Sequence, residues 1–306
     1  MMRVRVLGSA AGGGFPQWNC NCDNCRGVRS GTIRARPRTQ SSIAVSGDGR
    51  RWVLFNASPD ILQQIREFPS LQPGDPLRAT AIAAIVLIDA QIDHTTGLLM
   101  LREHDRPLEL WCTDPVFQDL TTGNPVLNVL SHFAGVKRHS LPLSGQEFRI
   151  AGADGLRFAA VALSSKAPPY SPHRDRPQPG DNIGVTILDE RSGRRLFYAP
   201  GLGQIETPVR EAMRAAHCVL VDGTCWNDDE LVQLRVSKKR AREIGHLPQN
   251  GAGGMLEQLD TLPASTRRVL IHINNTNPIL NEDSPEHREL TRHGVEVSYD
   301  GMEIHL

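Results

Sequence analysis

Three short stretches of this chain gather side chains of the kind that bind metal ions or move protons. The first is Cys20-Asn-Cys22-Asp-Asn-Cys25, with three thiols in six residues. Thiolates at this spacing can converge on one Zn²⁺, which takes four ligands in a tetrahedron. Turn-forming Asn21, Asp23 and Asn24 let the backbone wrap closely around an ion. The expectation is a structural zinc on Cys20, Cys22 and Cys25, in an N-terminal loop around residues 18–26. Its fourth ligand is left open, with Asn275 among the candidates.

The second stretch, Asp89-Ala-Gln-Ile-Asp-His-Thr-Thr-Gly97, follows the apolar run Ile85–Ile88, which reads as a strand buried on both faces. Asp93 and His94 offer a carboxylate and an imidazole; the competing reading makes Asp93 the N-cap of a helix running into Leu98–Leu101. The third is His272, which ends the apolar run Val269–Ile271 and precedes Asn274, Asn275, Thr276 and Asn277, a polar cluster more typical of a site than of a core. One carboxylate and two imidazoles, with positions open on the ion, form the facial arrangement of non-haem Fe(II) oxygen-activating sites; Zn²⁺ accepts the same ligands. The expected active-site ion is therefore Fe²⁺ or Zn²⁺ on Asp93, His94 and His272. Asp89, Gln91 and His246 are candidates for supporting these ligands or contacting substrate, and could move protons. An ordinary loop histidine is an equal reading for His246. Asp222 and Thr224, at the end of another apolar run, could border the same pocket.

Side chains this far apart need a scaffold of strands. Apolar runs separated by turn signals fall at Val4–Leu7, Ser42–Val45, Trp52–Asn56, Ile82–Ile88, Leu108–Cys112, Phe158–Val161, Ile183–Leu188, Leu196–Ala199, Cys218–Asp222, Val269–Ile273 and Val295–Tyr299. Helical patterns are fewer: Pro59–Phe68, with Ser58 as cap, then Gly97–Glu103, Pro115–Gly123, Asn124–His132, Thr207–Ala216, Gly254–Leu262 and Ser284–His293. Strands grouped in stretches with helices outside predict two facing mixed sheets, an αββα sandwich forming one domain over residues 1–306. A doubly wound parallel sheet is the runner-up, but strict strand–helix alternation is missing. Gly8–Pro16 is too poor a phosphate-loop match to bind phosphate and reads as a tight loop leading to the cysteines. Lys166–Gly180 reads as a surface loop that could act as a lid, and Lys238–Arg242 as a solvated helix face. Cys112, Cys218 and Cys225 sit in apolar surroundings as small buried hydrophobes.

The balance of 34 Lys+Arg against 34 Asp+Glu provides no global field for nucleic acid or an anionic membrane. No apolar run is long enough for a transmembrane helix, and the N-terminus lacks a signal-peptide core. The expectation is a soluble cytoplasmic protein.

The Asp89–Gly97 stretch resembles the metal-binding loop of the metallo-β-lactamase superfamily, His-x-His-x-Asp-His, with two histidines replaced by Asp89 and Gln91. Pro200-Gly201 stands near where that superfamily has a bridging aspartate. Two-metal hydrolysis needs two ions roughly 3.5–4 Å apart sharing a water, so these replacements speak against it. Taken with Gly8–Pro16, Cys20–Cys25, Asp222-Gly-Thr-Cys-Trp226, Gly245-His-Leu-Pro248 and His272-Ile-Asn-Asn-Thr-Asn-Pro278, the chain resembles the coenzyme PQQ synthesis protein B family over nearly its whole length. That resemblance implies the αββα fold, a structural zinc, and a role in making pyrroloquinoline quinone from a cross-linked Glu–Tyr precursor, with other proteins of that pathway as partners. It implies iron-dependent hydroxylation of the tyrosine-derived ring or, alternatively, soluble carriage of the quinone or its precursor toward the periplasm. Metal-dependent hydrolysis is the least favoured reading.

Overall fold

Strands that are apolar at every position cannot face water on either side, and in the computed structural model they stack as two facing sheets. The structure describes residues 1–74, 77–143 and 145–306. In chain order the strands are β1 (Arg3–Gly8), β2 (Ser42–Ser46), β3 (Trp52–Phe55), β4 (Ile82–Val86), β5 (Leu108–Cys112), β6 (Val136–Ser140), β7 (Leu156–Ala162), β8 (Ile183–Asp189), β9 (Arg195–Ala199), β10 (Cys218–Asp222), β11 (Arg267–Ile271), β12 (Val295–Val297) and β13 (Glu303–His305). One sheet has seven strands in the order β13-β1-β2-β3-β4-β5-β6, the other six in the order β12-β11-β10-β9-β8-β7. Each begins with antiparallel pairing and turns parallel, from β3 to β6 in the first and from β9 to β12 in the second.

The burial pattern explains why these strands lack a period of two. On β4, Ala84 and Val86 point into the core between the sheets, while Ile85 packs outward against helices. On β10, Cys218 and Leu220 point inward and Val219 and Val221 outward. Phe55 joins the two layers, with its ring 5.7 Å from Tyr198 and 6.3 Å from Phe158. Helices Ile61–Glu67, Asp114–Asp119 and Val126–Leu130 cover the first sheet; Thr207–Ala215, Met255–Asp260 and Pro285–Arg292 cover the second. This is the αββα sandwich expected, and it excludes the single doubly wound sheet. At one end, the Ile183 amide donates to Ile88 O at 2.9 Å, tying β8 to the exit of β4. Loops leaving the carboxyl ends of parallel strands β4, β10 and β11 therefore meet at one rim, where open α/β sheets place their ligand sites.

Several elements depart from expectation. Strands β6 and β13 were not foreseen, because Val-Lys-Arg-His-Ser and Glu-Ile-His are polar edge strands. The expected Pro59–Phe68 helix runs only from Ile61 to Glu67, and the Ser58 hydroxyl accepts from the Asp60 amide instead of capping it. The basic run Lys238–Arg242 is not a helix face: the preceding helix ends at Gln233, Arg235 adopts φ 57°, and Arg242 opens a short 3₁₀ turn. Among the described residues, no helix is long and apolar enough to cross a membrane.

Candidate metal centres

After β4 the chain passes through Asp89 and turns into the short helix Ile92–Thr95. That turn is locked from below. The Ala57 amide donates to His94 O and the Gly97 amide to Ala57 O. A Cβ on Gly97 would come within 2.1 Å of Ser58 O, so only glycine permits this approach. Asp93 lies within the helix and is not its cap; its carboxylate turns to the rim. Gln91 occupies the cap position without a side-chain cap, and its amide donates to Asp89 Oδ1.

Asp93, His94 and His272 come together there. Asp93 Oδ2 is 3.3 Å from His272 Nε2 and 3.7 Å from His94 Nε2, and the two rings lie 5.3 Å apart. The other nitrogen of each ring is engaged. His94 Nδ1 donates to Asp89 Oδ1 at 2.7 Å, and His272 Nδ1 donates to Thr224 Oγ1 at 2.9 Å. In their neutral forms both imidazoles therefore turn an Nε2 lone pair toward the same carboxylate oxygen. His94 Nε2 is buried with no hydrogen-bond partner. Lone pairs facing one another in a buried site call for a cation between them, and two nitrogens with one oxygen suit iron or zinc.

In the ion-free chain a proton takes that place. Burial alone would lower the His94 pKa, but the charges of Asp89 and Asp93 overcome it and hold the imidazole up to about 9. Burial likewise opposes ionisation of Asp93, yet His94 and His272 keep its carboxyl well below the usual range. A metal ion must displace the His94 proton, so its affinity should rise about tenfold per pH unit below about 9 and level off above. Competition with a chromophoric chelator, on protein already loaded at the cysteines, measures this; a flat profile between pH 6 and 9 contradicts it. Asp89→Ala, which frees the His94 ring, should weaken binding about 10–100-fold.

His246, from the loop after β10, joins the same rim. Its Nδ1 donates to Asp222 Oδ2 at 2.7 Å and its ring stacks 5.2 Å from His272. Burial disfavours the imidazolium, but Asp222 raises the pKa overall. Asp222 also accepts from the Leu202 and Thr224 amides. Sequence reasoning placed Asp222 only at the border; its tie to His246 depends on a loop returning to the end of β10. Asp222, His246 and His272 form a second group close enough to share an ion. Gly201 lies beside His246, where a Cβ would stand 3.9 Å from Cε1. The Gly8–Pro16 loop, expected only as a connector, walls the site: a Cβ on Gly12 would lie 3.3 Å from Asp93 Oδ2. From the Lys166–Gly180 segment, the Tyr170 hydroxyl donates to Ala90 O, so this segment rests on the Asp89–Gly97 turn.

Cys20, Cys22 and Cys25 converge about the end of the Asn275 side chain, whose amide lies 3.1, 3.7 and 3.4 Å from the three sulfurs respectively. Turning that amide over exchanges its nitrogen and oxygen in place. Sulfur and oxygen on one tetrahedral zinc are about 3.6 Å apart, from bond lengths of ~2.3 and ~2.1 Å. The residues present thus fit a zinc with Asn275 as fourth ligand. Burial opposes ionisation of Cys20 and Cys22, yet hydrogen bonds from Cys22, Cys25 and Asn275 draw Cys20 below its usual pKa, while burial pushes Cys22 up to about 12. Most of the remaining Asn274–Asn277 cluster is structural: Asn277 donates to Gly223 O and Gln249 Oε1, and Thr276 to the buried Glu230. Cys112, Cys218 and Cys225 are fully buried, as expected; burial raises all three thiols, Cys112 to about 11 and Cys218 to about 12.

The facing sheets and rim loops define a metallo-β-lactamase fold, and residues 51–273 match the β-lactamase superfamily domain. Within that class, the chain is 69% identical over the full length of both proteins to coenzyme PQQ synthesis protein B of Azoarcus sp. (strain BH72), and 63% identical to that of Methylobacillus flagellatus, again over both whole chains. The crystal structure of Zn(2+)-bound PqqB from Methylobacterium extorquens superposes with TM-score 0.88 at 37% identity, covering 99% of this chain and 100% of that one. A diphosphatase of the PhnP family shares the fold at TM-score 0.69 and 18% identity, over 99% and 96% of the two chains. The chain belongs to the coenzyme PQQ synthesis protein B family.

Proposed function

We propose that this protein acts in pyrroloquinoline quinone biosynthesis as a mononuclear iron-dependent hydroxylase of the tyrosine-derived ring in a cross-linked Glu–Tyr precursor. The observation that carries this reading is the meeting of His94 Nε2, His272 Nε2 and Asp93 Oδ2, with Asp89 and Thr224 occupying the other nitrogens of the two rings. The names of its relatives supply the pathway. Asp93, His94 and His272 would hold Fe²⁺; Cys20, Cys22, Cys25 and Asn275 would hold a structural Zn²⁺. Bound iron supplies the activation of O₂, which the side chains here cannot do themselves. Asp89 keeps His94 in the tautomer that exposes Nε2. His246, held at Nδ1 by Asp222, can exchange a proton at Nε2 with the phenol oxygen of the ring, accepting as the neutral imidazole and donating as the imidazolium that Asp222 favours.

Putting one atom of O₂ on the ring and reducing the other to water requires two further electrons, so the test includes a reductant. Protein loaded anaerobically with Fe²⁺ is given a Glu–Tyr-type substrate, ascorbate and oxygen, and the product is weighed by mass spectrometry. Gain of one ring oxygen is expected. Tight binding of the quinone without turnover would transfer the assignment to a carrier. Two ions besides the cysteine-bound one would favour hydrolysis, with Asp222 and His246 the nearest further ligands for a second.

A further inference from the structure

We propose that Thr224 is a positioning residue that clamps His272, fixing both its backbone and the nitrogen it turns to the metal, and that it joins this ligand to the His246–Asp222 pair. This rests on the reading of Asp93, His94 and His272 as a metal centre. His272 has φ 61°, a left-handed conformation that is strained for a non-glycine residue and persists only where surrounding contacts over-determine it. Thr224 supplies those contacts from the neighbouring strand end. Its hydroxyl donates to His272 O at 2.9 Å, and its carbonyl accepts from the Asn274 amide at 3.1 Å.

A hydroxyl has a single proton. With that proton on His272 O, Thr224 Oγ1 can only accept from the imidazole nitrogen 2.9 Å away, so His272 Nδ1 carries hydrogen and Nε2 is left bare toward Asp93. The same oxygen lies 3.0 Å from His246 Nδ1, whose principal acceptor is Asp222. Thr224 is held in turn by its own amide, which donates to Asp222 Oδ1. One buried hydroxyl therefore orients the His272 ring and touches that of His246, and a methyl group in its place would keep none of the hydroxyl's contacts.

The test is Co²⁺ binding to protein whose cysteine cluster has first been loaded with Zn²⁺. Thr224→Val, close in shape but without the hydroxyl, should bind Co²⁺ at the histidine centre about 10–100-fold more weakly. Thr224→Ser should restore near-native affinity. Unchanged affinity in the valine variant, or an equal loss in the serine variant, overturns the proposal. A second measurement needs no variant of Thr224. Long-range ¹H–¹⁵N correlation spectra of the cobalt-free protein report which His272 nitrogen is protonated, the signal being assigned by its loss in His272→Asn. Protonation at Nδ1 is expected, and a neutral ring protonated at Nε2 overturns the clamp. Neither readout involves turnover, so failure to hydroxylate would leave the clamp standing, and failure of the clamp would leave ring hydroxylation open.

Discussion

Replacing His272 by alanine should release one metal ion per chain and abolish ring hydroxylation, while the cysteine-bound ion stays. His272 supplies one of only two imidazoles at the proposed centre, and its loss leaves Asp93 and His94 as the remaining ligands. Losing one ligand of three should cost about 4 kcal/mol or more of binding, roughly a 10³-fold drop in affinity. Alanine at φ 61° would add a backbone penalty, confusing loss of the ion with loss of fold. His272→Asn separates them, because asparagine tolerates the left-handed region; it should melt near the native temperature yet still lose the ion and the activity. Metal analysis by mass spectrometry counts the ions. Retention of the full count in both variants would remove His272 from the centre. Loss of two ions would show a second ion beside the first, near Asp222 and His246, and would point to hydrolysis.

The parts of this arrangement legible in the sequence were those encoded by neighbours along the chain. The buried runs into β4 and β11 announced themselves as apolar strands ending in polar residues, and Cys20–Cys25 by spacing. Asp89 and His94 lie in one short turn, so their pairing was within reach. What escaped was set by sheet order. Thr224 meets His272 because β10 pairs with β11 in parallel, Asp222 opposite Ile271, which carries residues 48 apart in sequence to the same level. Gly12 covers Asp93 because the loop after β1 bonds to the chain just beyond β11: the Ala11 amide donates to Ile273 O and the Ile273 amide to Ser9 O. No local pattern in Gly8–Pro16 contains that information. The edge strands were missed for a related reason. β6 and β13 have few apolar partners, so their sequences carry the charges that keep an edge from pairing further.

Cys25→Ser should lower the melting temperature by about 5–10 °C and also loosen the histidine centre. Cys25 is fully buried at the first turn of helix Asp23–Ser30 and packs in the outer core of the second sheet with Phe15. The loop around it buries little apolar surface of its own: Gln17, Trp18, Asn19 and Asn21 are half-buried or exposed. Arg29, which donates to Cys20 O and Gln17 O, ties the loop to its helix but not to the sheet. The tie to the sheet passes through Asn275, whose side chain faces the sulfurs, and through Asn24, which donates to Asn275 O at 3.1 Å and to Asn277 O at 2.8 Å. Structural zinc is worth ~10–16 kcal/mol to a domain that is unfolded without it. Here the rest of the fold stands independently, so a loss of about 3–5 kcal/mol is the reasonable share, and in a chain this long each kcal/mol moves the melting temperature by about 2 °C. Asn275 lies three residues beyond His272 on the same turn. Freeing it should therefore weaken Co²⁺ binding at the histidine centre about tenfold, with nothing at that centre altered. Calorimetry with and without a thiol-competing chelator, followed by Co²⁺ titration, tests both halves. If removing the cysteine-bound ion leaves the melting temperature unmoved, that ion has no structural role. If stability falls but Co²⁺ affinity holds, the turn from His272 to Asn277 is rigid enough on its own, through Asn277 and its bonds to Gly223 and Gln249.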